Sequence, residues 1–228
     1  MSTTFTFRPS PSSIGPQVRA TGNESNRSVQ RTAGPAADLA QNAEEEQLRN
    51  LCQVLNFHHV EYVIFGSFAG RLQGAPLRTV DVDVVPEMSD RNLQRLCDAL
   101  NSLNPRWRVD DVSNGVRIDG RRLEPRHVRG SSVAIGLVTN VGLVDLVVEP
   151  KGFEAGFDDL VTESIVIDLA GTSIRVGSLN DLIKSKQLLD REKDREHLPL
   201  LRARQTEIDL ERNRSRSLDD DRGFDLGL

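Results

Sequence analysis

Apolar and polar positions recur along this chain in two periods, and their order predicts a small mixed sheet covered by helices. From 43 to 57 (AEEEQLRNLCQVLNF), Leu48, Leu51, Cys52 and Leu55 fall at the three-to-four spacing of one helix face. EYVIFG (61–66) is a short apolar strand ending in glycine, and SFAGRLQG after it reads as a short helix with Ser67 at or near its N-cap. Residues 80–85, VDVDVV, alternate strictly, which predicts a strand with Val80, Val82 and Val84 anchored in the core. A capped amphipathic helix follows over 89–103, with Leu93, Leu96, Cys97 and Leu100 inward. Strands are predicted at 132–138 and 143–148, around the turn-like Thr139-Asn140-Val141-Gly142, and near 163–168 and 172–176, around Ala170-Gly171. A helix from Ser178 to Asp190, with Leu182, Ile183 and Leu189 inward, and another from Lys193 close the pattern. The fold class expected is α/β, or α+β.

The ends read differently. Residues 1–41 are rich in Ser, Thr, Pro, Gly and Asn without apolar periodicity, and are expected to be disordered. Residues 42–204 form one domain, and 205–228 a charged, partly disordered tail into which a helix can run. Cys52 and Cys97 lie in helical patterns and are expected to be buried, reduced thiols. They lack CxxC spacing, and His58, His59, His127 and His197 form no ligand pattern with them, so no structural zinc site is expected. No apolar run approaches a membrane span, and the first residues lack a secretory pattern, so cytoplasm is expected and no membrane partner. A net charge of −5 makes the whole chain no polyanion magnet. Locally, Arg117, Arg121, Arg122, Arg126 and Arg129 face only Asp119 and Glu124 between 115 and 130, a segment that either meets phosphates or is a solvated loop.

The chemistry begins with Asp81 and Asp83. Residues i and i+2 of a strand project from one face, with Cα atoms ~6–7 Å apart, so both carboxylates can reach one cation. All-oxygen ligation suits Mg²⁺ or Mn²⁺ rather than Zn²⁺. A solvent-facing strand edge would also explain the pair. Asp145 interrupts the apolar run LVDLVV; placed beside 80–85 it would add a third carboxylate for a second cation, and otherwise it is a salt-bridge partner. Gly66-Ser67, at a strand-to-helix junction, can cradle phosphate or simply cap a helix. Lys186 lies on or beside an apolar stripe, where it can neutralise phosphate charge or snorkel to solvent. Asp190, Lys193 and Asp194 continue along that face and are placed to orient it; Arg78 and Thr79 either touch phosphate or close a turn.

Taken in order, EYVIFGSFAGRLQGAPLRTVDVDVV, GLVTNVGLVDLVVEP and RVGSLNDLIKSKQLLDREKDREHLPLL resemble the nucleotidyltransferase-fold family of bacterial abortive-infection toxins, the AbiEii/MenT-type partners of toxin–antitoxin pairs. The likeness covers about residues 45 to 203. It implies the polymerase-β-like nucleotidyltransferase fold, with Gly66 and Ser67 at the nucleotide, Asp81 and Asp83 at Mg²⁺ or Mn²⁺, Lys186 in the third motif and Asp194 in the fourth. Beside it, Asp145 is expected from its own strand to join the metal pair, and Arg78 and Thr79, with Lys186, to reach the nucleotide. The implied reaction is transfer of a nucleotide from an NTP to an RNA acceptor, tRNA foremost, with an antitoxin encoded nearby. His197 departs from the pattern, standing where a second acidic residue is usual. Two alternatives stay open: an antibiotic nucleotidyltransferase, and an inactive interaction protein on the same fold.

Overall fold

Among the residues described by the structure, a computed structural model covering 35–109, 112–118, 122–131 and 134–223, eight strands form one sheet. They are β1 (Tyr62–Phe65), β2 (Asp81–Pro86), β3 (Arg106–Val109), β4 (Val112–Arg117), β5 (Ala134–Thr139), β6 (Gly142–Val147), β7 (Ile165–Leu169) and β8 (Thr172–Val176). Their order across the sheet is β4-β3-β5-β6-β2-β1-β8-β7. The pairs β1–β8 and β2–β6 are parallel and the remaining neighbours antiparallel, so the sheet is mixed, as the alternation predicts. The helices are α1 (Pro35–Phe57), α2 (Gly66–Leu72), α3 (Asp90–Ser102), α4 (Pro125–Arg129), α5 (Phe157–Val161), α6 (Leu179–Leu189) and α7 (Glu192–Gly223).

Local chemistry explains the placement. β1 reads Tyr-Val-Ile-Phe without a polar break, and all four residues are buried between β2 and β8. β2 alternates, so Val82 and Val84 lie fully buried in the core with Leu48, Leu51, Leu93 and Leu96, and the aspartates face the other way. Asn92, buried at the start of α3, ties β1 to β2: its side-chain amide donates to the carbonyls of Glu61 and Glu87 at 2.8 Å each and its oxygen accepts from the Glu61 N–H. Between β7 and β8, Ala170 and Gly171 both adopt positive φ, as a two-residue hairpin turn of the primed type requires.

Several expectations shift. Val80 is 61% exposed; β2 starts at Asp81, and its core anchor is Val82, Val84 and Val85. α1 begins at Pro35 rather than 43, and α7 continues to Gly223. Residues 1–34 and 224–228, at the two ends read as disordered segment and tail, lie outside the described residues. β3, β4, α4 and α5 are additional to the predicted elements. Leu189 is exposed on α6, whose buried positions are Leu179, Leu182, Ser185 and Lys186. Cys52 and Cys97 are free and buried, as expected, and burial pushes both thiols up to about 12. Among the described residues, no helix is long and apolar enough to cross a membrane.

Candidate active site

Parallel pairing of β2 with β6 sets Asp83 opposite Asp145 and Asp81 opposite Leu143. Registered neighbours share a face, so Asp81, Asp83 and Asp145 all project from one side of the sheet. A cleft of about 540 Å³ opens there, lined by all three carboxylates together with Gly66, Ser67 and Lys186. The sequence reading required this convergence on one face.

Crowding like charges shifts these carboxyls. Burial, then the charges of Asp81 and Asp145, push the Asp83 carboxyl up to about 7, and Lys186 and Lys193 offset this only in part. Burial also acts on Asp81. There it is outweighed by the Thr79 hydroxyl, which donates to Asp81 Oδ1 at 2.6 Å, and by the cations Lys193 and Arg108, leaving its carboxyl below the usual range. Thr79 thus holds Asp81, while Arg78 is exposed and does not line the cleft.

Arg108, on β3, went unnoticed in the sequence. Its Nη2 donates to Asp145 Oδ2 at 2.7 Å and its Nη1 lies 3.7 Å from Asp81 Oδ2, so one guanidinium bridges two of the three carboxylates. Gly136 makes room for it: a Cβ there would lie 2.9 Å from Arg108 Nε. Burial raises the Asp145 carboxyl despite this partner. Asp145 Oδ1 meanwhile is buried with no hydrogen-bond partner. Among the described residues no three carboxylate, thiol or imidazole groups are already gathered as a metal-ligand set. The oxygen donors, the orphaned Oδ1 and the mutual repulsion fit a hard divalent cation, provided Arg108 swings aside.

On the opposite wall, Lys186 Nζ donates to Asp194 Oδ1 at 3.0 Å, and Arg191 Nε donates to Asp194 Oδ2 at 2.7 Å. Asp194 is fully buried and does not line the cleft. Burial would raise its carboxyl, but Arg191 and Lys186 outweigh that and hold it below the usual range. Asp194, expected among catalytic residues, is therefore placed to position Lys186. Asp190 is turned away, accepting from Arg195 Nε at 2.8 Å.

Ser67 lies near the N-cap of α2 but is not the cap itself. Phe65 occupies that place, and the buried Ser67 Oγ lies 3.2 Å from Nδ1 of His197. The departure at position 197 thus has a local partner. Burial, then Lys186 and Lys193, lower the His197 pKa, which favours the neutral ring. Gly66 has φ +64, and a Cβ there would run into the Asp83 carboxylate. Gly66→Ala is accordingly expected to cost about 1–2 kcal/mol of backbone strain before any movement of Asp83, read as a lowered thermal midpoint.

Among the described residues, three of the arginines of 115–130 have acidic partners. Arg122, Arg126 and Arg129 pair with Asp98, Glu124 and Asp90 respectively. Arg121 lies outside the described residues.

No protein-family model and no curated protein matches the chain. Among solved structures it is similar to the solution structure of the antibiotic-resistance factor ANT(2'')-Ia, at 13% identity and TM-score 0.45, over 80% of this chain and 98% of that one. It is similar to the crystal structure of ANT(2'')-Ia with adenylyl-2''-tobramycin at 15% identity and TM-score 0.45, over 76% and 98%. A Thermotoga maritima protein named as a candidate nucleotidyltransferase is similar at 15% identity and TM-score 0.40, over 75% and 94%.

Proposed function

We propose that this chain is a metal-dependent nucleotidyltransferase that moves a nucleoside monophosphate from an NTP to a hydroxyl of an RNA acceptor, in the manner of AbiEii/MenT-type toxins. The observation that carries the reading is the register pairing of Asp83 with Asp145, which gathers three carboxylates on the face of one cleft with Lys186 across from them.

Asp81, Asp83 and Asp145 would hold Mg²⁺ or Mn²⁺, which neutralises the triphosphate and acidifies the acceptor hydroxyl. Lys186, fixed by Asp194, presents a compact cation to the phosphates, and Arg191 and Lys193 line the same wall. The acceptor hydroxyl gives its proton to Asp145, and its oxygen bonds to the α-phosphorus. The bond from that phosphorus to the bridging oxygen breaks, and pyrophosphate leaves towards Lys186.

Purified protein with labelled NTPs, Mg²⁺ and tRNA is expected to label the tRNA, and an Asp81→Ala/Asp83→Ala variant is not. Labelling that survives the double substitution removes these residues from catalysis. Labelling of an aminoglycoside in place of tRNA moves the acceptor to the antibiotic class. If the chain is a toxin, its expression arrests growth until an antitoxin is co-expressed.

Arg108 gives a separate test. Arg108→Met keeps length and loses charge, so a pair worth about 1 kcal/mol no longer opposes the cation. Mn²⁺ affinity, measured by electron paramagnetic resonance without nucleotide, is expected to rise about fivefold. Unchanged affinity would show that Arg108 does not compete.

A further inference from the structure

Arg106 on β3 and Arg117 on β4 lie directly opposite each other in the sheet register. Their side chains therefore share a face with Cβ atoms ~4.5–5.5 Å apart, an arrangement that repels unless an anion lies between them. Both are exposed, and neither enters any ion pair among the described residues. They line an open hollow of about 610 Å³ together with Asn104, Asn114, Thr139 and Asn140, and among the described residues no carboxylate lines it. Arginine forks together with neutral amides are the chemistry of phosphate recognition.

The register also says where this hollow sits. Arg117 pairs with Arg106, Arg106 with Val138, Val138 with Leu143, and Leu143 with Asp81. That single row puts the two arginines on the same face of the sheet as the carboxylates. At ~4.8 Å per strand, Arg106 lies about three spacings, ~14 Å, from Asp81. This equals about four nucleotides of a stacked strand at ~3.4 Å each. Trp107, between Arg106 and Arg108, alternates to the other face and stacks edge-on against His127. Around Arg106 and Arg117 the face therefore offers cations and amides.

We propose that Arg106 and Arg117 form a phosphodiester-binding site that holds a single-stranded nucleic acid by its backbone and points its end at the carboxylate cluster. The direction of the strand rests on the nucleotidyl-transfer reading; the binding itself does not. Recognition runs through phosphates, so affinity depends steeply on salt and little on base sequence.

The test is fluorescence anisotropy with a short 5′-fluorescein-labelled single-stranded RNA across a salt series, using the full chain without NTP. Arg106→Ala/Arg117→Ala, at two exposed positions, is expected to weaken binding at least about tenfold at 0.1 M salt and to flatten the log–log salt slope by about 1.4, for two lost phosphate contacts. Arg122→Ala, which removes a cation already paired with Asp98, is expected to leave both unchanged. Mn²⁺–NTP binding by calorimetry is expected to match wild type in all variants. A slope that stays the same, an equal loss in Arg122→Ala, or displacement of the RNA by equimolar pyrophosphate would overturn the site; the last would make it a pocket for a small anion. Loss of NTP binding in the wild type, with anisotropy intact, would instead refute nucleotidyl transfer and leave the strand site standing.

Discussion

Asp83→Asn is expected to stabilise the metal-free protein at pH 8 while removing nucleotidyl transfer. Asp83 sits between two other carboxylates, and its own carboxyl is pushed up to about 7 by burial and by those charges. A group whose folded pKa exceeds its unfolded value binds its proton more tightly when folded. The stability this brings is full below the unfolded pKa of ~3.9, declines as pH rises towards 7, and is gone above it. Across those roughly three units the loss is at most about 4 kcal/mol. Asparagine carries no charge at any pH, so the variant keeps that stability at pH 8, and the two proteins converge near pH 4. Denaturant unfolding in EDTA from pH 4 to 8 measures the difference directly. Mg²⁺ should narrow the gap, because a cation removes the repulsion in the wild type alone. Transfer is expected to fall by about 10³-fold or more, since a lost ligand removes charge stabilisation from the reaction's transition state. A variant that is less stable than wild type at pH 8 would show that Asp83's charge is no burden to the fold.

Asp194→Ala is expected to lower stability by about 3–5 kcal/mol, the scale for removing one partner of a buried ion pair. Lys186 is only 7% exposed at its side chain and Asp194 is fully enclosed, so little solvent replaces the lost carboxylate. In a domain of this size each kcal/mol shifts the melting midpoint by about 2–4 °C, giving a drop of roughly 10 °C. Lys186→Met/Asp194→Leu removes both charges and is expected to recover most of that loss while staying inactive. Calorimetric melting of the single and double variants distinguishes a charge left unpaired from a simple cavity. A cost below about 1 kcal/mol for Asp194→Ala would mean that water reaches Lys186 and that its position does not depend on Asp194.

Elements with a strong internal period were legible. The i, i+3, i+4 stripes of α3 and of the second half of α1 put the expected leucines in the core, and the alternation of VDVDVV placed Asp81 and Asp83 together. β3 was missed although Arg106-Trp107-Arg108-Val109 also alternates, because four residues flanked by polar loops give a weak signal. Arg108 was lost with it. Val80 was misjudged because alternation predicts a face but not where a strand begins. Leu189 belonged to the right period but fell in the last turn of α6, beyond the packed part of the helix. The basic stretch 115–130, open in sequence to phosphate contact or a solvated loop, has three arginines paired with Asp98, Glu124 and Asp90, two of which lie on α3.

Sequence alone determined that two carboxylates share a strand face, that a glycine precedes them at a strand end, and that a lysine sits on a buried helix stripe. These follow from local periodicity, which the backbone imposes within a few residues. Tertiary structure alone decided that Asp145 pairs with Asp83, that Arg108 bridges Asp145 and Asp81, and that Asp194 stands beneath Lys186. Strand order and register join segments tens of residues apart, and they are set by how the whole sheet buries its apolar faces rather than by any residue's neighbours in the chain.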